Sequence, residues 1–110
     1  LCTFISPFRK DRAAARALLP ESAFFEVYVR CSVDECERRD PKGLYARARS
    51  GAIPHFTGIS SPYEEPVAAE LVLDSDRRSV PELVEQIVQE LARRGILSAG
   101  MEDEFAANGI

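Results

Sequence analysis

The chain has 110 residues and a mass of 12.2 kDa, which leaves no room for two full domains at roughly 150 residues each. Its 45% hydrophobic and 29% charged fractions are those of a globular protein and exclude wholesale disorder. Fourteen Lys and Arg against eighteen Asp and Glu give a net charge of −4, which argues against general nucleic-acid or anionic-membrane binding. No apolar run approaches the roughly 18 residues that span a bilayer, and no basic-then-apolar leader opens the chain. Three cysteines do not make a disulfide scaffold, so a reducing cytoplasm is the expected compartment. The first residue is Leu1, inside an apolar run, and the expectation is a fragment of a longer protein.

Leu1 to Ile5 is short, apolar and β-friendly, and reads as a strand punctuated by Ser6 and Pro7. Lys10 to Leu19 is rich in Ala, Arg and Leu and predicts a helix, with Ala14, Ala17 and Leu18 on one face and Pro20 as its stop. Phe24 to Val29 is aromatic and β-branched and predicts a second strand. Ser32 with Glu35 three residues on forms a capping box that opens a short helix to about Arg39. Pro41 and Gly43 interrupt it, and Leu44 to Arg49 reads as another helix ended by Ser50 and Gly51. Residues 51 to 66 are rich in Gly and Pro and predict a long irregular loop, a kind of segment that is usually functional or mobile. Glu70 to Leu73 predicts a short strand, and residues 74–76 turn out of it.

The last helix has the clearest signal. Ser79 is its N-cap, Pro81 lies in its first turn and Glu82 completes the box. Val80, Leu83, Val84, Ile87, Val88 and Leu91 mark one buried face, and Gly95 is the stop. Residues 98–110 lose the pattern and read as a tail or linker. Strands alternating with helices define an α/β class with a parallel sheet.

Few residues carry an obvious chemistry. Cys31 and Cys36 fit no common zinc spacing and read as small buried hydrophobes; His55 is the sole histidine and has no partner for a metal or triad role. No Gly-rich phosphate loop occurs in these 110 residues. Ser6-Pro7-Phe8-Arg9 follows a predicted strand, where α/β sheets place ligands; Ser6, the local N–H groups and Arg9 face an anion, or the segment simply starts a helix. Arg38, Arg39 and Lys42 surround Pro41 and Gly43, either as a phosphate-facing lid or as a solvated turn. Phe56 and Tyr63 are aromatics in a loop, where periodicity explains neither; the loop folds back on the core, or Phe56 is a platform for a flat base.

Ile5-Ser6-Pro7-Phe8-Arg9, then Asp40-Pro41-Lys42-Gly43-Leu44-Tyr45, then Phe56-Thr57-Gly58-Ile59 with Pro62-Tyr63-Glu64 follow in this order. The combination resembles the adenylyl-sulfate kinase (APS kinase) family over about residues 1 to 97. The resemblance implies a P-loop kinase fold, a parallel sheet flanked by helices, with the N-terminal βα units absent from these residues. It implies transfer of the γ-phosphate of ATP, accompanied by Mg2+, to the 3′-hydroxyl of adenosine 5′-phosphosulfate. It assigns Ser6 and Lys42 to catalysis, and Ile5, Ser6, Arg9, Lys42, Gly43, Leu44, Phe56 and Thr57 to the sulfonucleotide, with the Phe56 ring on its adenine. Arg39 and Ser79 fall to ATP, and no metal ligand is assigned. The family's Walker A loop and its Asp-Gly-Asp segment have no counterpart here. His55 and Ser60-Ser61 depart from its pattern, which often has glycine at the first position and acidic residues at the others. The family tends to dimerise and is often fused to an ATP sulfurylase, so a homodimer and such a fusion are expectations too. The rival reading is a non-catalytic sulfonucleotide-binding or regulatory module, which a missing phosphate loop permits.

Overall fold

Helix boundaries follow capping chemistry. In the computed structural model, which describes residues 1–97, Ser32 and Ser79 hold the chain extended and accept a bond from the backbone N–H three residues on. The distances are 3.2 Å from Glu35 and 3.4 Å from Glu82. The elements in order are α1 (Arg9–Ala17), a 3-10 turn (Glu21–Ala23), β1 (Val27–Arg30), α2 (Val33–Arg39), α3 (Leu44–Arg49), β2 (Leu71–Asp74) and α4 (Val80–Arg93). The α/β class expected from the alternation is the one observed. The tail expected at 98–110 lies outside the described residues. No described helix is long and apolar enough to cross a membrane.

The chain divides into two compact units. One joins Leu1–Phe25 to Ser32–Ala69 and holds α1, α2, α3 and the long loop. The other joins Glu26–Cys31 to the described residues from Glu70 onward and holds β1, β2 and α4.

In the strand-bearing unit β1 and β2 are parallel, with Val27 opposite Leu71 and Arg30 opposite Asp74. Leu73 of β2 is 2% exposed, and α4 packs on this strand with Leu83 buried. At the strand ends the Arg30 guanidinium meets the Asp74 carboxylate at 2.7 Å. That hydrogen bond holds the Asp74 carboxyl below its usual range. Val80, counted on the buried face of α4, is 72% exposed; it is the first helical residue, and burial starts one turn later.

In the other unit α2 and α3 are tied by Arg49 and Glu37, whose two bonds are 2.6 and 3.1 Å, and Ala48 of α3 is buried. Three expectations are corrected. Leu1 to Ile5 is not a strand: no described strand offers it a ladder, and Leu1, Phe4 and Ile5 stand exposed. Phe24 and Phe25 precede β1 instead of belonging to it; Phe24 caps the 3-10 turn, and the Arg16 guanidinium lies 4.5 Å from its ring centroid. Ala14, Ala17 and Leu18 are all exposed, and α1 buries no residue among those described. Cys31 and Cys36 are half-buried where full burial was expected.

Candidate functional site

Three non-glycine residues have a positive φ among the described residues: Ser6 at 40°, Asp40 at 22° and His55 at 54°. Side chains resist that region, so each needs outside restraint. Ser6 and Asp40 lie within the first two motif segments, and His55 abuts the third, Phe56-Thr57-Gly58.

Ser6 is followed by Pro7 and by Phe8, the N-cap of α1. That end of α1 is fastened to a segment more than fifty residues away. The Glu64 amide donates to the Pro7 carbonyl at 2.8 Å, and the Arg9 amide donates to Glu64 Oε1 at 2.8 Å. Arg9 Nε donates to the Glu65 carbonyl at 2.9 Å, so this side chain, expected to face an anion, is docked at least in part on the loop. Arg12 adds two bonds of 2.5 Å, to the carbonyls of Ser6 and Glu64. Ile5 is exposed beside Ser6.

Asp40 builds the second segment. Its amide closes α2 on the Cys36 carbonyl at 2.9 Å. Its carboxylate then accepts the N–H groups of Tyr45 and Ala46 at 3.0 and 3.2 Å, satisfying two orphan donors of α3. Gly43, the N-cap of α3, has φ 66° and space around it, so backbone conformation and not crowding selects glycine there. Lys42 stands at the tip of this turn, exposed, and its side chain has no ion-pair or hydrogen-bond partner among the described residues. Leu44 opens α3 beside it.

The Phe56 segment is a closed loop. The Phe56 carbonyl accepts the amides of Ile59, Ser60 and Ser61 at 2.9–3.1 Å, and its amide donates to Ser60 Oγ at 2.7 Å. Thr57 bridges Ser61, and Gly58 at φ 87° brings the loop to Val33, whose Cγ2 is 3.4 Å from where a Cβ would sit. The Phe56 ring meets Tyr45 edge-on, with centroids 4.9 Å apart and planes at 73°. Phe56 is half-buried, so the ring is both packed and accessible. The contact with Tyr45 is the packing that one of the two readings of this aromatic expects. The contact brings the second and third segments together, and Glu64 brings in the first.

Arg38 and Arg39 are exposed but engaged by Glu35, which leaves them less available to a phosphate-facing lid. Arg38 donates two bonds to Glu35, and Arg39 Nε donates one at 2.8 Å. The bonds from Arg38 and then Arg39 pull the Glu35 carboxyl down to about 2. Ser79 belongs to the strand-bearing unit, where its hydroxyl caps α4 and lies 2.9 Å from Glu82 Oε1. Among the described residues no group of three His, Cys, Asp or Glu side chains is placed to hold a metal ion. The carboxylates around the turns are engaged already, by amides or by arginines.

Sequence reasoning overlooked Arg12 and the structural roles of Asp40 and Glu64. The positive φ of Asp40 carried no sequence signal. Arg12 lies four residues after the Phe8 N-cap in a helix of ordinary composition, and its partners are distant in sequence.

Parallel strands, intervening helices and ligand-type turns define an α/β protein, and comparison with solved structures specifies which kind. The APS kinase CysC of Mycobacterium tuberculosis, solved in complex with AMPPNP and APS, superposes with a TM-score of 0.71 at 46% identity. The superposition covers 80% of this chain and 51% of that one, and places it in the P-loop kinase fold. The family model for adenylylsulphate kinase matches residues 1–74, and the chain belongs to that family. It is 63% identical over 84 residues to a probable adenylyl-sulfate kinase of Halalkalibacterium halodurans, covering 76% of this chain and 42% of that protein. It is 56% identical over 99 residues to the bifunctional enzyme NodQ of Azospirillum brasilense, covering 90% of this chain and 16% of that protein. The chain spans about half the length of the probable adenylyl-sulfate kinases it matches.

Proposed function

We propose that residues 1–97 are the C-terminal part of an adenylyl-sulfate kinase domain, with 98–110 as a tail or linker. In the completed domain the 3′-hydroxyl oxygen of adenosine 5′-phosphosulfate attacks the γ-phosphorus of ATP. The bond to the β,γ-bridging oxygen breaks, ADP leaves, and the hydroxyl proton is released. The observation that carries this reading is the meeting of the three motif segments in one unit, through Tyr45 with Phe56 and through Glu64 with Pro7 and Arg9.

On this reading Phe56 and Thr57 form the wall for the substrate's base, and Lys42, Gly43 and Leu44 offer a cation and a backbone turn to its anionic groups. Ile5, Ser6 and Arg9 line the same substrate, with the hydroxyl of Ser6 and the ammonium of Lys42 nearest the chemistry. Phosphoryl transfer is mostly positioning and charge stabilisation, and an unpartnered exposed lysine suits the second task. Arg39 and Ser79 are assigned to ATP. Magnesium would accompany the ATP phosphates and neutralise part of their charge, and no residue of this chain is assigned to hold it. A cytoplasmic location and a homodimer complete the proposal. The bifunctional relative supports a fused second activity, for which we propose an ATP sulfurylase.

The test is an assay of the purified 110-residue chain with ATP, magnesium and the sulfonucleotide, repeated with the N-terminal half of the Halalkalibacterium relative in trans. We expect no turnover from the chain alone and turnover on complementation. Ordinary enzyme rates from the chain alone refute the division of the site. Sulfonucleotide binding with no turnover in either arm favours a non-catalytic binding module.

A further inference from the structure

We propose that Arg12 is a positioning residue for the sulfonucleotide site, locking the Ser6-Pro7 turn to the loop that ends at Glu65; this rests on the reading above. Its side chain leaves the first turn of α1, half-buried, with the guanidinium carbon 5.8 Å from the Tyr63 ring centroid. One amino group donates to the Ser6 carbonyl and the other to the Glu64 carbonyl, both at 2.5 Å, across 52 residues of sequence in the second case.

The target of the first bond gives it its meaning. Ser6 has φ 40°, where a side-chain-bearing residue does not rest without external restraint. Arg12 supplies that restraint at the Ser6 carbonyl, and the orientation of the Ser6 hydroxyl follows from the same backbone. The second bond fixes the exit of the loop that carries Phe56 and Thr57. One planar fork therefore sets the spacing of two ligand-facing segments. A lysine ammonium is a single point and does not span two carbonyls with a fork's fixed geometry. The remaining links, Glu64 N–H to Pro7 and the two bonds from Arg9, keep the segments adjacent when Arg12 is replaced. The loss is one of register and not of folding.

The experiment compares the 110-residue chain with Arg12→Lys, with Lys10→Ala as an exposed control on the same helix and Leu83→Ala as a destabilised core control. Thermal melting, amide hydrogen exchange at Glu64 and titration with adenosine 5′-phosphosulfate are read for each. We expect Arg12→Lys to melt with the Lys10 control, to exchange Glu64 faster, and to bind the sulfonucleotide roughly tenfold more weakly, as loss of one charge-assisted bond implies. Wild-type exchange together with wild-type affinity overturns the proposal. So does an affinity loss that Leu83→Ala reproduces, because that is a stability effect. If the wild-type chain binds no sulfonucleotide even with the N-terminal half of the Halalkalibacterium relative added in trans, the functional reading fails on its own. The exchange arm then decides the clamp: faster exchange at Glu64 supports it, and unchanged exchange overturns it.

Discussion

Asp40 and Lys42 are two residues apart, and their replacement by alanine should have opposite consequences. The Asp40 carboxylate accepts two backbone N–H bonds, at 3.0 Å from Tyr45 and 3.2 Å from Ala46, that α3 cannot satisfy internally. Losing a capping side chain costs about 0.5–2 kcal/mol, and a bond to an ionised group is worth about 1.5–3 kcal/mol. Asp40 is half-buried, so water recovers part of the loss, and we take about 1–2 kcal/mol for Asp40→Ala. In a domain of this size that lowers the melting temperature by roughly 4–16 °C. Asp40→Asn keeps one acceptor oxygen and tolerates the same backbone region, so it should fall between alanine and wild type. Lys42→Ala removes an exposed, unpartnered charge and should change stability by no more than about 0.5 kcal/mol, while weakening sulfonucleotide binding. Far-ultraviolet circular dichroism melts of the three variants, with nucleotide titrations beside them, check both halves. The reasoning is refuted if Asp40→Ala melts with wild type, or if Lys42→Ala melts as low as Asp40→Ala.

Phe56→Ala should weaken sulfonucleotide binding by about 1–3 kcal/mol, the worth of one stacked base, and also lose its edge contact with Tyr45. Phe56→Leu retains packing, so calorimetry should find its stability near wild type and its affinity low; equal affinities in Leu and wild type would place the ring in the packing alone. Glu35 is held at about 2 by Arg38 and Arg39, below its ordinary 4.5. The stability it contributes is complete above pH about 4.5 and is lost as the pH falls through about 2. A carboxyl carbon titration should show the low midpoint, weakened in 1 M salt because the arginines are exposed; a midpoint near 4.5 in low salt would dissolve the cluster.

Local chemistry was legible in the sequence. Ser32 with Glu35 and Ser79 with Glu82 announced two helix starts, because a cap is decided within four residues. Leu44 to Arg49 likewise coincides with α3. Leu1 to Ile5 misled because β propensity reports fitness for a sheet and not the presence of a neighbour. The motif segments were readable by letter, but their meeting was not. Tyr45 and Phe56 are joined by a ring contact, and Arg12 and Glu64 by a hydrogen bond across 52 residues. Nor did composition show that Glu35 occupies both Arg38 and Arg39, which changes what those cations are free to do.

The pairing of β1 with β2 joins residues 44 apart, and that separation shapes how the molecule is made. Entropy makes the long connection tolerable, since each doubling of a loop adds only about 0.6 kcal/mol. Kinetics treats it less kindly, because non-local pairings form late. At about 5–20 residues per second on the ribosome, β1 waits roughly 2–9 s before β2 exists. During that time Val27 to Arg30 lacks the partner that β2 supplies, whereas α2 and α3 can coil within about a microsecond. β2 and α4 are close neighbours in sequence, and Leu73 and Leu83 are both buried. They are therefore the natural nucleus onto which the earlier strand is recruited. The segments bearing Lys42 and Phe56 lie inside the loop that this recruitment closes.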